Sequence, residues 1–258
     1  MKPAIVVTGA SSGIGRELAR VAAREGSVMV LFGLSQQALD DLVAELRSSA
    51  LEAHAFSIDL ADRDAGQLIE NKLSEIGVYC DVLVNSAGFG VFGAAVESNR
   101  EEHLKLIDVN IRALTDLTLR FLPGMIARRR GGVLNVGSIT GYTPGPNMST
   151  YYASKAYVKS FTTALSAEVS GTGVTVTCLS PGVVRTAFFE RCAVGQTRLF
   201  KLAPRSNAPE TAEAGWRGFR AGKRQVIPHL ANRIIVAACV LLPDAALLRL
   251  ISALQRLR

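Results

Sequence analysis

Ala4-Ile5-Val6-Val7-Thr8-Gly9-Ala10-Ser11-Ser12-Gly13-Ile14-Gly15 is the stretch whose reading decides the fold. Ala4–Thr8 is a continuous apolar run closed by Gly9, as expected of a strand buried on both faces. Ile14–Glu25 has a helical pattern, so the stretch joins a first strand to a first helix. Between them lies Gly-x-x-x-Gly-x-Gly. Glycine is needed there because a side chain would block both a tight turn and the approach of a pyrophosphate. The helix N-terminus then supplies free N–H groups and positive potential for the anion. A plain structural turn is the competing reading.

Working outward, Val28–Phe32 reads as a second strand, and Ser35 as a cap for a helix over Gln36–Arg47. Strand-like runs at His54–Ile58, Asp81–Asn85, Gly132–Val136 and Val174–Leu179 alternate with helical stretches near Asp62–Ile76, Arg100–Ala127 and Thr150–Val169. A helix near Pro209–Ala221 and a short strand at Gln225–Ile227 follow. This alternation predicts an α/β fold: a doubly wound parallel sheet of the Rossmann type, in three layers. The 258 residues suit a single dinucleotide-binding and catalytic domain. Residues 183–207 lack clear periodicity and follow a late strand's carboxyl end, where a substrate lid would sit. They mix Phe188-Phe189 with Arg185, Arg191, Arg198, Lys201 and Arg205. Residues 229–258 read as an apolar helical C-terminal extension, more a domain-covering helix pair or subunit contact than a membrane-surface helix.

Composition narrows the function classes. With 48% hydrophobic and 20% charged residues the chain is not largely disordered. Cys80, Cys178, Cys192 and Cys239 lie far apart, as do His54, His103 and His229, so free thiols and no metal site are expected. The N-terminus enters a strand at once, leaving no room for a signal peptide. The apolar run Ile234–Leu242 is well short of the ~20 residues that span a bilayer. A cytoplasmic protein is the expectation. The net charge of +7 suggests mild attraction for phosphate-bearing ligands. No basic face with interleaved aromatics is evident, which argues against nucleic acid. Arg128-Arg129-Arg130 reads as a helix C-terminus whose cations offset the helix dipole.

Two further motifs need weighing. Gly88-Phe89-Gly90-Val91-Phe92-Gly93 fits Gly-x-Gly-x-x-Gly, with Asp108 twenty residues beyond Gly88. Asp108 lies in a helical stretch and not at the end of a following strand, so the pattern is rejected as an independent nucleotide site. Tyr151 and Lys155 are four apart at the start of a helical run and therefore share one face. Alone, that spacing says little.

Taken together, Thr8–Gly15, Asn85-Ser86-Ala87-Gly88, Asn110, Ser138, Tyr151–Lys155 and Pro181-Gly182 resemble the single-domain short-chain dehydrogenase/reductases in order and spacing. Val226-Ile227-Pro228 and the apolar C-terminal helices resemble, more weakly, a bacterial branch of uncharacterised reductases. The resemblance implies an NAD(P)-dependent oxidoreductase with Tyr151 as general acid/base. A phenol of ordinary pKa near 10 is poorly matched to neutral pH, and the Lys155 ammonium would favour its phenolate. Lys155 would also hold the nicotinamide ribose, Ser138 the carbonyl oxygen, and Asn110 a water in a proton path to Lys155. A helix-interior amide bonded to backbone is the alternative for Asn110.

The cofactor would lie against Gly9, Ser11, Ser12, Gly13, Ile14, Gly15, Asn85, Ala87, Gly88, Pro181 and Gly182. Asp59 and Leu60 would meet the adenine, and Val184 and Thr186 the carboxamide. Asp59 also reads as a helix cap. The family usually has a second asparagine where this chain has Ser86. Tyr152 reads as packing or pocket lining.

No acidic residue follows the second strand before Asp40, which argues against strict use of NAD. The arginine typical of NADP users at Leu34, and a basic residue at Ser12, are absent too. Ser11, Ser12 and Ser35 could bind a 2′-phosphate, so the balance favours NADP, with NAD as the alternative. Phe188-Phe189 and the apolar C-terminus suggest a lipophilic small-molecule substrate: a 3-oxoacyl, steroid-like or other hydrophobic carbonyl, or its secondary alcohol. The competing class is a catalytically silent nucleotide-binding sensor or scaffold. Arg112–Ala127 and Tyr152–Val169 resemble the family's dimer surface, so a homo-oligomer is expected.

Overall fold

A computed structural model describes residues 1–50, 52–184 and 205–255. Strand β1 (Lys2–Thr8), helix α1 (Gly13–Ala23), β2 (Val28–Gly33), α2 (Gln36–Leu46), β3 (Glu52–Ser57), α3 (Ala65–Glu75) and β4 (Val78–Asn85) build the first half. Then come α4 (Arg100–Ile107), α5 (Leu114–Ala127), β5 (Gly132–Val136), α6 (Ser149–Glu168), β6 (Thr175–Leu179), β7 (Val183–Val184) and β8 (Arg205–Ser206). Helix α7 (Ala208–Arg220), β9 (Gln225–Val226), α8 (Leu230–Leu241) and α9 (Asp244–Gln255) complete the described chain.

Seven strands form one parallel sheet in the order β3-β2-β1-β4-β5-β6-β9. The order reverses between β1 and β4, and ligands of open α/β sheets bind in the crevice beyond the strand ends at that point. Alternate residues of β1 serve opposite faces. Ala4 and Val6 join Ile69 and Leu73 of α3, Leu117 and Met125 of α5, and Leu165 of α6 in one core. Ile5 and Val7 join Leu18 of α1, Leu39 and Leu42 of α2, and Trp216 and Phe219 of α7 in the other. Each fully buried side chain of this size contributes about 1.5–3 kcal/mol, so the three-layer arrangement follows directly from the apolar runs.

A polar ladder crosses the middle of the sheet. Asn85 Nδ2 donates to Thr118 Oγ1 (3.0 Å) and to Asn135 Oδ1 (2.9 Å), and Asn135 Nδ2 donates to Thr162 Oγ1 (3.0 Å). All four residues are buried.

Three local expectations change. Arg100–Ala127 is helical throughout, but Asp108–Ala113 is a π-helical turn between α4 and α5. Helix α3 starts at Ala65 and not at Asp62, because Asp59–Asp62 and Asp62–Ala65 close successive turns. Arg128 and Arg130 reach sideways as well as ending α5: Arg128 Nη2 donates to Cys80 O (3.1 Å), and Arg130 pairs with Asp81 (3.1 Å). Ser35 caps α2 as expected, accepting from Ala38 N.

The expected lid lies almost wholly outside the described residues, including Thr186 and Phe188-Phe189. At its two ends, Val183–Val184 and Arg205–Ser206 pair in parallel. Cys80 and Cys178 are buried free thiols and Cys239 is partly buried and free; Cys192 lies outside the described residues. Among the described residues no cluster of His, Cys, Asp or Glu is arranged to hold a metal, and no helix is long and apolar enough to cross a membrane.

Candidate active site

Beyond the carboxyl ends of β1, β2, β4, β5 and β6 lies a cavity of about 1090 Å³. One end is framed by the glycine turn. Gly9 has φ +67°, and a Cβ there would stand 2.7 Å from the Cα of Ala87. A Cβ on Gly15 would stand 2.4 Å from Gly9 O. Thr8 Oγ1 accepts from the N–H groups of Ser86 (3.2 Å) and Ala87 (3.3 Å), locking the ends of β1 and β4 together. Ser12, at the N-cap of α1, makes no side-chain cap bond, and the first turn of α1 carries no acid. The turn therefore keeps its N–H groups and its positive potential for an anion. A side-chain-free cradle over an uncapped helix start fits the pyrophosphate of a dinucleotide.

Gly9, Ser11, Ser12, Gly13, Ile14 and Gly15 line this end with Ala87, Gly88, Asp59 and Leu60. Pro181, Gly182 and Val184 line it from the far side of β5. Asn85 does not: its side chain points into the ladder beneath the sheet, so it braces the wall without forming it. Asp59 caps the turn leading to α3, accepting from Ala61 N (2.9 Å), whereas Asp64 holds the N-cap position of α3. Its other oxygen pairs with Lys105 Nζ at 2.9 Å. Partial burial opposes ionisation of Asp59, and the bonds from Lys105 and Ala61 outweigh it, leaving the carboxyl below its ordinary pKa.

Ser138, Tyr151 and Lys155 meet on the wall between β5 and α6. Ser138 caps a 3₁₀ turn, Ile139–Tyr142, and its Oγ accepts from Thr140 N at 3.1 Å. Among the described residues its O–H has only a long contact, 3.5 Å, to Pro181 O. That turn sits hard on α6, since a Cβ on Gly141 would stand 2.5 Å from Lys155 O. Lys155 is 6% exposed, donates from Nζ to Val136 O at 2.9 Å, and stands 5.8 Å from the centre of the Tyr151 ring. Burial pulls its pKa down to about 8.

Asn110 lies just behind this wall. Its Nδ2 donates to Phe89 O (3.0 Å) and Ser154 Oγ (3.1 Å), and its Oδ1 accepts from Phe89 N (3.1 Å). The π-turn aims the amide at the loop after β4, so the backbone-bonded reading holds in this structure. A Cβ on Gly88 would touch both Asn110 Oδ1 (3.0 Å) and Lys155 Nζ (3.6 Å), which leaves the asparagine close to the lysine. Gly88-Phe89-Gly90 lines the same cavity, while Asp108 pairs with Arg112 at 2.8 Å.

In the other half of the cavity, sequence singled out Tyr152 and the apolar character of the C-terminus but none of the other lining residues. Val91, Phe92 and Met148 line it together with Ile235, Ala238, Cys239 and Leu242 of α8 and its end, and Leu247, Leu250, Ile251 and Leu254 of α9. Tyr152 joins them and accepts a hydrogen bond from Gln255 Nε2 at 3.0 Å; burial pushes its phenol up to about 12. The signal available was the apolar character of residues 229–258, which does not say what the helices cover.

The sequence profile described as "short chain dehydrogenase" matches residues 3–195. Dehydrogenase/reductase SDR family member 7B of Bos taurus is 36% identical over 188 residues, or 70% of this chain. The chain spans about three fifths of the length of the first curated relatives it matches, 58% for the bovine protein. A short-chain dehydrogenase from Sphingobium yanoikuyae, solved in complex with NADPH, superposes with a TM-score of 0.81 at 31% identity, covering 97% of this chain and 95% of that one. The bulky-bulky ketone specific alcohol dehydrogenase from Comamonas testosteroni gives 0.77 at 27% identity, with 98% and 94% covered. The chain belongs to the short chain dehydrogenase family.

Proposed function

We propose that the protein transfers a hydride between NADP and a lipophilic ketone or secondary alcohol, with Tyr151 as general acid/base. The observation that carries this reading is that Ser138, Tyr151 and Lys155 line one cavity together with the apolar side chains of α8 and α9. The nicotinamide, when bound, supplies or takes up the hydride. Gly9, Gly13 and Gly15 would hold its pyrophosphate, Asp59 and Leu60 its adenine, and Lys155 its ribose, with Val184 and Thr186 at the carboxamide.

In the reducing direction Tyr151 gives its phenolic proton to the carbonyl oxygen, and in the oxidising direction it takes that proton back. Lys155 lowers the proton affinity of the phenolate by placing a cation beside it. Its bond to Val136 O fixes where that cation stands. Ser138, whose oxygen is already occupied by Thr140 N, offers its O–H to the substrate oxygen. Asn110 anchors the loop beside Lys155, and its Oδ1, which accepts one bond from Phe89 N, keeps a second lone pair that would take a water toward the lysine.

For the cofactor, Gly33, Leu34 and Ser35 line the cavity at the end of β2, and none is acidic. Asp40, the nearest acid in sequence, is engaged with Gln36 at 2.8 Å. Ser35 accepts from Ala38 N and keeps a hydrogen to donate, and Ser11 lies against Gly33. These features support NADP. A clear preference for NADH in paired fluorescence titrations would overturn that choice. The relative that accepts bulky ketones and the aliphatic wall both favour a lipophilic substrate.

The decisive variant is Tyr151→Phe, assayed against a panel of hydrophobic ketones by cofactor absorbance. General acid/base catalysis is worth about 10²–10⁴-fold, so turnover should fall by that factor while NADPH binding persists. Unchanged turnover sinks the mechanism. A wild-type protein that binds NADPH and reduces nothing points to a silent sensor.

A further inference from the structure

Helices α8 and α9 each present two sides, and the cavity uses only one. Along α8, Leu230, Ile234 and Leu241 are 70%, 60% and 84% exposed. At 100° per residue they fall, with Ala237, within about 60° of one another and form a single stripe. None of them lines the cavity, whereas Ile235, Ala238 and Cys239 of the same helix do. Val240 and Leu248 add 64% and 40% exposed apolar side chains. Isolated exposed leucines are ordinary, but a contiguous stripe marks an interaction surface.

Charge says what kind of surface this stripe meets. Residues 229–258 carry Arg233, Arg249, Arg256 and Arg258 against the single acid Asp244. Arg233 and Arg249 are exposed. Arg233 lies about 60° around the helix from Leu230, at the stripe's margin. Apolar residues edged by arginine, on a helix too short to cross a bilayer, match the interface of an anionic lipid layer. The cavity opens in the same place. Ile235, Leu242 and Leu250 both line it and are more than a third exposed, and Leu242 directly follows the stripe's last residue.

We propose that the outer side of α8 and α9 docks on an anionic membrane surface and sets the apolar mouth of the cavity against the lipid. Docking stands independently of the catalytic reading. Its consequence, that substrate dissolved in the lipid enters through this mouth, rests on the lipophilic substrate proposed above.

The test is co-sedimentation of the full-length chain with phosphatidylcholine vesicles and with vesicles of phosphatidylcholine mixed with phosphatidylglycerol. Binding is expected to the mixed vesicles, to fall with added salt, and to be much weaker on neutral ones. Leu241→Glu and Ile234→Glu should each weaken it about tenfold or more, the factor associated with burying one such side chain. Thermal melting and NADPH fluorescence titration of both variants should match wild type. Tyr151→Phe should bind vesicles normally, which separates failure of docking from failure of the catalytic reading. The proposal is overturned by absence of binding to the mixed vesicles, or by binding that ignores both variants. It is equally overturned if sedimentation velocity shows a dimer that Leu241→Glu splits without any vesicle binding; the stripe is then a contact between copies.

Discussion

The two walls of the cavity enclose one space by opposite means. The wall at the ends of β1, β4 and β5 is made of backbone, short side chains and hydrogen bonds, and its parts approach so closely that single Cβ atoms would collide. The wall from α8 and α9 is made of Leu, Ile, Ala and Cys side chains held by packing, with the buried Asn232 among them. Among the described residues its side-chain polar ties are few: Gln255 to Tyr152 at the cavity edge, Asn232 Nδ2 to Pro228 O, Arg233 Nε to Ile227 O, and His229 4.0 Å from Glu210. The first wall must present fixed groups to a fixed chemistry, so it tolerates little. The second must present volume and greasiness to a substrate, and many side chains can supply those.

The comparison breaks first at Lys155. Lys155→Met should cut turnover by about 10²–10⁴-fold, read by cofactor absorbance, and it should also change how stability depends on pH. The folded pKa, about 8, lies below the ordinary 10.5, so between those values the unfolded chain binds more protons. The full penalty for burying the charge is present below pH 8 and is relieved as pH rises toward 10.5. The melting temperature of the wild type relative to Lys155→Met should therefore climb from pH 8 to pH 10 in the cofactor-free protein. A flat difference would mean that the ammonium is better solvated than its burial implies.

On the apolar wall, Ile251→Ala should cost about 2–5 kcal/mol of stability if that wall packs as a true core, read by chemical denaturation. KM for bulky ketones should rise while cofactor binding stays the same. A much smaller loss would show that α9 is loosely held. Gly15→Ala tests the rigid wall: relieving the overlap with Gly9 should cost about 1–3 kcal/mol. That loss should appear as weaker NADPH binding, with relative activity across ketones unchanged. The smallest effect belongs to Lys105→Met. Its exposed pair with Asp59 is worth about 0–1 kcal/mol, so NADPH affinity should move by no more than severalfold. A larger loss would make Lys105 a direct cofactor contact.

The contrast also explains what could be read in advance. Gly9, Gly13 and Gly15 were legible because crowded or left-handed backbone leaves glycines at fixed spacing, and Tyr151 and Lys155 because their one-turn spacing follows the glycine turn and Ser138 in the family's order. Asn110 was legible as a residue but not as a geometry: a π-turn inserts into a helix without altering its apolar pattern, and that turn directs the amide to Phe89. Asn85 looked like cofactor wall because it stands beside Ala87 and Gly88, yet strand alternation sends its side chain below the sheet. Ile251 and Leu254 carried no motif at all. An apolar helix announces that it will be covered, and only the fold decides by what.

The ladder of Thr118, Asn85, Asn135 and Thr162 has a consequence for assembly of the sheet. Were β5 to pair one residue out of step with β4, Asn135 would swing to the opposite face and lose both Asn85 and Thr162, and Asn85 would keep only Thr118. Each amide stranded in that way costs about 1–3 kcal/mol, whereas the apolar neighbours of β5, Val133, Leu134 and Val136, would find grease on either side. The ladder thus works as a proofreading device for strand alignment, distinguishing the true register from a neighbour that hydrophobicity alone would accept.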